Sequence, residues 1–204
     1  MKNVAIVGVL ALVVSSVASA QVKDFKWDGN ISIPDGTGQF VFAAINVPGD
    51  GTVIEDLDVD LIIQHTWQGD LIIELEHVGG ARITLVDRPG FDGAGFGFQV
   101  DNYGNPDTGE KFILDDEAAS IYDDPAAGGG IPNVTGSWQP EEALSTFDGT
   151  NKEGLWYLWV SDNAGQDLGS ILNFGLHITN VPEPATLMLL GVGGLAMMRR
   201  SRRR

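Results

Sequence analysis

Leu57, Val59, Leu61 and Ile63 occupy alternate positions, and Asp56, Asp58 and Asp60 fill the gaps between them. Successive side chains of a β-strand point to opposite faces, so a period of two specifies a strand with one apolar and one acidic face. The pattern recurs along the chain. Leu71, Ile73 and Leu75 alternate with Glu74 and Glu76 after the turn Gln68-Gly69-Asp70, and Val78-Gly79-Gly80 then turns the chain into Ile83 and Leu85. Near the end, Trp156, Leu158 and Val160 lead through a turn at Ala164-Gly165 to Leu172, Phe174, Leu176 and Ile178. No stretch of the body shows a convincing period of 3.6, and the 27 glycines among 204 residues are about twice the usual ~7%. Residues 87–137 differ: clusters of Gly, Asp, Asn and Pro read as long loops with one short strand at residues 111–114. Short antiparallel strands without crossover helices predict an all-β fold, an antiparallel two-sheet sandwich of jelly-roll-like form.

Charge divides the chain into three parts. The formal charge is −16, from 12 Lys+Arg against 28 Asp+Glu. Residues 1–20 carry +1 from Lys2, and residues 181–204 carry +4 from five Arg against Glu183, which leaves −21 on residues 21–180. A body this acidic is a poor ligand for nucleic acid, whose phosphates need Lys and Arg. The absence of cysteine excludes disulfides, cysteine-ligated metals and a cysteine nucleophile.

The two ends read as addresses. Lys2, the apolar run of residues 4–14 and the small-residue pattern Ala18-Ser19-Ala20 form a secretory signal peptide, with cleavage expected between Ala20 and Gln21. At the other end Pro182-Glu183-Pro184 precedes a largely apolar run at residues 185–198 and five arginines. Fourteen residues make a helix of about 21 Å, short for a bilayer, and the arginines would stay cytoplasmic. This order resembles the PEP-CTERM sorting signal of Gram-negative bacteria, and Gly191, Gly193 and Gly194 match its glycine-bearing middle. The resemblance implies processing by an exosortase, transient membrane anchorage through the tail, and display at the cell envelope or in the extracellular space. The expected organisation is a signal peptide (1–20), a β-sandwich domain (21–180) and a sorting tail (181–204).

Three blocks in the body carry a second resemblance. The first is Ile63-Gln64-His65-Thr66-Trp67-Gln68-Gly69-Asp70-Leu71. The second runs from Phe112 through Asp115-Asp116 to Ala118, and is followed by Gly136-Ser137-Trp138-Gln139-Pro140. The third holds Phe147, Asp148 and Gly149, then Gly154, Trp156 and Ser161-Asp162, and last Asp167-Leu168-Gly169. In this order they resemble the P domain (P/Homo B domain) of subtilisin-like proprotein convertases. The resemblance implies a jelly-roll sandwich and a family structural motif of His65, Thr66, Trp67, Gly69, Asp70, Phe147, Gly149, Gly154, Trp156, Asp162 and Gly169. In convertases this domain follows a catalytic domain and helps it stay folded. Here the few residues between Gln21 and Asn30 leave no room for one, and no Gly-Thr-Ser nucleophile segment exists, so the chain is expected to lack enzymatic activity.

The remaining chemistry rests on histidines, carboxylates and aromatics. His65 has the parity of Leu61 and Ile63, so it is expected to point inward and bond to backbone or to Asp70. His77 ends its strand and is expected to be partly exposed, and His177 is expected to face solvent. Crowded carboxylates in Gly-rich loops suit Ca²⁺, which takes hard oxygen ligands; the candidates are Asp101, Asn102, Asn105 and Asp107, then Asp115, Asp116 and Glu117, with Asp123 and Asp124 as outsiders. None has EF-hand spacing, and a solvated acidic surface explains the same residues. A glycosidase would need facing carboxylates, and Asp58 with Glu74 across a hairpin is the nearest arrangement, on a solvated face. Trp67, Trp138 and Trp159 invite a sugar-stacking reading, with Tyr157 beside Trp159, whereas Trp156 reads as core. These observations predict an exported, non-catalytic P-domain module with a structural or interaction role. The alternatives are an accessory to a subtilisin-like serine endopeptidase acting in trans, and a carbohydrate-binding jelly roll on exopolysaccharide.

Overall fold

The computed structural model describes residues 20–93, 95–123 and 130–182. Nine strands build two sheets: β1 (Gln21–Ile33), β2 (Val41–Val47), β3 (Thr52–His65), β4 (Leu71–His77), β5 (Arg82–Asp87), β6 (Phe112–Leu114), β7 (Gly136–Trp138), β8 (Gly154–Asp162) and β9 (Gly169–Pro182). One sheet has the order β1-β9-β3-β6-β7 and the other β2-β8-β4-β5. Every pairing is antiparallel except β6 with β7. The fold is the expected all-β two-sheet sandwich. Leu57, Val59, Leu61 and Ile63 of β3, Leu71, Ile73 and Leu75 of β4, and Trp156, Leu158 and Val160 of β8 all lie in the core between the sheets, as their alternation requires.

The alternation misleads where a bulge resets it. Between β3 and β9 the register steps from Ile62↔Asn173 to Ile63↔Ile171, so Leu172 is the extra residue. A bulged residue reverses the parity of what precedes it. Ile171 therefore joins Phe174, Leu176 and Ile178 in the core, and Leu172 is only half-buried. The glycine-rich middle holds β7 as well as β6; three residues paired in parallel leave no periodic trace in the sequence. β1 is a further strand beyond those expected, and its Phe25, Trp27 and Ile31 pack against the core. Asp58 and Glu74 do not face each other. β3 and β4 belong to different sheets, so the outward faces of the two strands lie on opposite sides of the sandwich.

One buried cation ties the sandwich edge together. Lys152, fully buried before β8, donates to the Asp50 carboxylate and the Thr52 hydroxyl, and Lys23 of β1 also reaches Asp50. The Trp156 indole N–H donates to the Lys152 carbonyl at 2.9 Å, which fixes the largest core side chain to the same knot. The two ammonium groups hold the Asp50 carboxyl well below the usual carboxylate range. Asp50→Asn is expected to destabilise the domain by about 2–3 kcal/mol, below the cost of breaking a wholly buried pair because Asp50 keeps some solvent. Asp50→Asn combined with Lys152→Met is expected to recover part of the loss. Urea denaturation of both variants checks this; equal midpoints for the single variant and the unaltered protein would remove the role given to Asp50.

Candidate functional site

The first motif block is the passage from one sheet to the other. β3 ends at His65, the chain turns through Thr66 and Trp67 into a single 3-10 turn, Gln68–Asp70, and Leu71 opens β4. Buried backbone at such a crossing must find partners. Gln68 is buried and bonds outward: its N–H donates to Val100 O at 2.9 Å, and its side-chain amide donates to Asp101 O at 3.0 Å and to Ile131 O at 3.1 Å. The hydroxyl of Tyr103 donates to Gln68 O at 3.0 Å, and that of Tyr122 to its side-chain oxygen. One side chain thereby holds several loop segments. Sequence reasoning missed it, because a lone polar residue between Trp67 and Gly69 looks like the solvated tip of a hairpin. Gly69 is required by close approach, since a Cβ there would lie 2.6 Å from the Cα of Gly97.

His65 closes the clamp from below. It points inward as expected and is completely buried. Its N–H donates to Asn102 Oδ1 at 2.9 Å, its Nδ1 lies 3.0 Å from the Trp67 N–H, and its Nε2 lies 3.4 Å from Asp162 Oδ2. The Trp67 carbonyl also lies 2.8 Å from Nδ1, so the ring is held between the Trp67 backbone and the Asp162 carboxylate. The carboxylate partner is Asp162 rather than Asp70, because the 3-10 turn carries Asp70 onward to the start of β4. Asp162 Oδ1 accepts the Ala164 N–H at 3.0 Å, the Thr66 hydroxyl donates to Asp167 at 2.6 Å, and the Asp70 carbonyl accepts the Asn163 N–H at 2.9 Å. The motif thus locks onto the β8–β9 loop, and at Gly169 β9 begins against the His65 ring. Trp67, Asp70, Phe96, Ala164, Gly165, Gln166 and Asp167 line a cavity of about 500 Å³ beside this lock. Burial, then the negative Asp162, push the Asp70 carboxyl up to about 6 against the opposing His65.

The other motif residues sit at the far end of β8. The Phe147 and Trp156 rings meet edge-on at 4.9 Å, and His77 stacks on Trp156 at 4.3 Å. Gly149 donates its N–H to Ile54 O at 2.8 Å, and Gly154 opens β8. The calcium candidates do not gather as one set. Asn102 and Asn105 spend their side-chain oxygens on backbone N–H groups, Asn105 on residues 107 and 108. Asp101 and Asp107 are exposed loop residues. Asp116 accepts the N–H groups of Leu144 and Ser145 at 2.9 and 2.8 Å, holding the 3-10 turn Leu144–Phe147. Asp115 and Glu117 alone lie near the acidic face of β3, where Asp115 and Asp56 add to burial in raising Asp58 to about 6. Among the described residues no three His, Cys, Asp or Glu side chains are arranged to hold a metal ion. Asp123 accepts the Gly90 N–H, and Asp124 lies outside the described residues.

His177 takes the outward parity expected of it, but carboxylates hold it there. It is half-buried on the outer face of the larger sheet, with Nδ1 2.8 Å from Asp24 and Nε2 2.6 Å from Asp60. Asp60 and Asp24 hold its imidazolium, raising the pKa to about 9. Of the aromatics, Trp67 is half-buried at the cavity, Trp138 packs edge-on against Tyr122 at 5.3 Å, and Trp159 forms an outer-face group with Phe42 and Tyr157.

Residues 54–178, more than half of the chain, match the profile of the proprotein convertase P-domain. The chain belongs to that family. Residues 180–204 match the PEP-CTERM protein-sorting motif, which marks export and sorting toward the envelope or extracellular space in Gram-negative bacteria. Pro182 ends β9; Glu183, Pro184 and the apolar run lie outside the described residues, as does the signal segment up to residue 19. Among the described residues no helix is long and apolar enough to cross a membrane. No curated protein matches the sequence. Two crystal structures of an Aeromonas sobria serine protease are similar in fold. The one determined with a chaperone has 14% identity and a TM-score of 0.46, covering 79% of this chain and 27% of the protease. The other has 13% identity and a TM-score of 0.43, covering 78% and 27%. The P-domain chain therefore spans about a quarter of the length of those proteases.

The titrating groups fix a pH profile for the P domain. Asp58 and Asp70 have folded-state pKa values raised to about 6, so their stabilising protons are lost as pH rises through 6. His177, raised to about 9, stabilises fully below about 6.5 and ceases to do so as pH rises through 9. Asp50, depressed, stabilises above about 4 and loses this in stronger acid. Stability is expected to peak between about pH 4 and 5 and to fall toward pH 9, with His177→Ala removing the upper step. Thermal melts across this range check it, and a midpoint that climbs from pH 5 to 8 would contradict the assignment.

Proposed function

We propose that this chain is an exported P-domain module, sorted by an exosortase-type enzyme acting on its tail, that docks on a protein rather than catalysing a reaction. Its partner is a subtilisin-like serine protease acting in trans. The carrying observation is how the fold uses the family's motif. His65, Thr66, Gln68, Asp162 and Asp167 are committed to one another, to backbone or to loops. A general base must reach its substrate and titrate near working pH. His65 has no exposed surface, and His177 is held protonated by two carboxylates, so neither meets both conditions. What the module offers at its surface is shape and a strongly acidic field, which favours encounter with a basic partner face.

A second reading has its own observation. The Phe42 ring lies 4.7 Å from both Tyr157 and Trp159 on the outer face of the smaller sheet, an arrangement on which sugar rings stack. Against it, Arg82 sits 4.6 Å over Trp159 and the indole N–H donates to Glu76 at 2.7 Å. A sugar would have to displace that cation–π contact.

Adding the purified domain to a subtilisin-like protease of the same envelope is expected to lengthen the thermal half-life of its activity severalfold, and the two are expected to co-elute. An unchanged half-life at saturating domain would defeat the protease reading. Retention on extracellular polysaccharide, lost in Trp159→Ala, would replace it with the second.

A further inference from the structure

The cavity beside the β3–β4 crossing holds an acid that the fold leaves without a partner. Asp70 is 3% exposed. Its carbonyl is used by Asn163, but among the described residues no hydrogen bond reaches its carboxylate. Burying an ionised carboxylate without partners is costly. Asp162 and Asp167 deepen the negative field there, and His65 and then Arg88, which bonds Gly69 O at 3.4 Å, oppose it. At the rim Gln166 has a φ of 94°, a left-handed backbone that costs free energy in a residue with a Cβ and is typical of functional loops.

The surroundings narrow the ligand's chemistry. A divalent metal would draw on several carboxylate oxygens, yet Asp162 spends both of its own on His65 and Ala164, and Asp167 accepts the Thr66 hydroxyl. Trp67 and Phe96 supply aromatic lining instead. Their rings stand nearly perpendicular at 6.4 Å, fixed by the indole N–H donating to Phe96 O at 2.7 Å. Phe96 remains 68% exposed. A carboxylate behind aromatic walls, in a body carrying −21, suits an organic cation, which gains an ion pair and a cation–π contact together.

We propose that this cavity binds a primary ammonium or guanidinium group, with the Asp70 carboxylate as counter-ion and Trp67 and Phe96 as its aromatic wall. The inference stands independently of the protease reading, because the cation has two sources: a Lys or Arg side chain of a partner protein, or a free amine.

The test titrates the secreted protein with N-acetyl-lysine methylamide, N-acetyl-arginine methylamide and the neutral N-acetyl-norleucine methylamide, followed by calorimetry and tryptophan fluorescence. Saturable binding of a cationic analogue, absent for norleucine, is expected. Asp70→Asn is expected to weaken it by at least about tenfold, the loss of one charge-assisted contact, while raising the melting temperature of the ligand-free protein. Phe96→Ala, at an exposed position, is expected to weaken binding with the fold unchanged. Tighter binding of a pentapeptide with central arginine than of the single-residue analogue would assign the source to a protein; equal binding would assign it to a free amine. Absence of saturable binding, binding that survives Asp70→Asn, or calcium occupying the site in place of the analogues would overturn the proposal.

Discussion

A chain that passes from one sheet of a sandwich to the other must carry polar backbone across the margin of an apolar core, and every group it buries there needs a partner. The β3–β4 crossing is where this chain meets that constraint. Gln68 supplies partners to the loops above, His65 to the turn itself, and Asp162 to His65. The long glycine-rich middle can then be irregular because it is bound at its base, through Val100, Asp101, Asn102 and Ile131, to a rigid turn. Tyr103, Phe112 and Tyr122 fill the space beneath it, edge to face at 5.1–5.7 Å. These loops replace cysteine cross-links with buried aromatic area and a few shared polar anchors.

The acidity of the body is handled unevenly. On the larger sheet's outer face, His177 and Lys111 draw charge from Asp60 and Asp24, and Lys152 with Lys23 does the same for Asp50. Asp58, one position along β3 from the Val59 that faces the core, is half-buried near Asp115 and Asp56. The charge of His177 across the strand offsets this only in part, so Asp58 titrates high. The same alternation that builds the strand thus puts carboxylates side by side. The fold tolerates this because most of them keep solvent, where repulsion is weak and salt screens it.

The alternation made the core faces of β3, β4 and β8 legible, because a period of two leaves little choice about which side is buried. It failed at Leu172, where one extra residue in β9 inverts the count, and bulges have no marker in the local residue pattern. It did not single out β1, and it could not reveal β7, whose three residues pair in parallel with β6 and are too few to show a period. The motif resemblance located His65, Trp67, Asp70 and Asp162 without their connectivity. That His65 answers to Asp162 across 97 positions depends on which sheet each strand joins. Gln68 was unreadable for a related reason: its partners are backbone carbonyls, which every residue has. The calcium candidates were drawn from the crowding of carboxylates in glycine-rich loops, and in the structure Asn102, Asn105 and Asp116 accept backbone N–H groups.

Within one short turn, then, the same residue types have two fates. Asp162 and Asp70 are both buried, both carboxylates, and both within the field of His65. Asp162 is surrounded by donors and stabilises the crossing. Asp70 raises the free energy of the folded state and faces a cavity with aromatic lining. A sandwich with a core this continuous can carry such a group, as it carries the side-chain oxygens Asp60 Oδ1, Asn173 Oδ1 and Asn180 Oδ1, which accept no hydrogen bond among the described residues. Selection for stability alone would replace Asp70 with a neutral residue, because an asparagine of the same shape avoids the burial of charge. Its presence in the motif turn is explained if the charge is neutralised from outside, by whatever occupies the cavity.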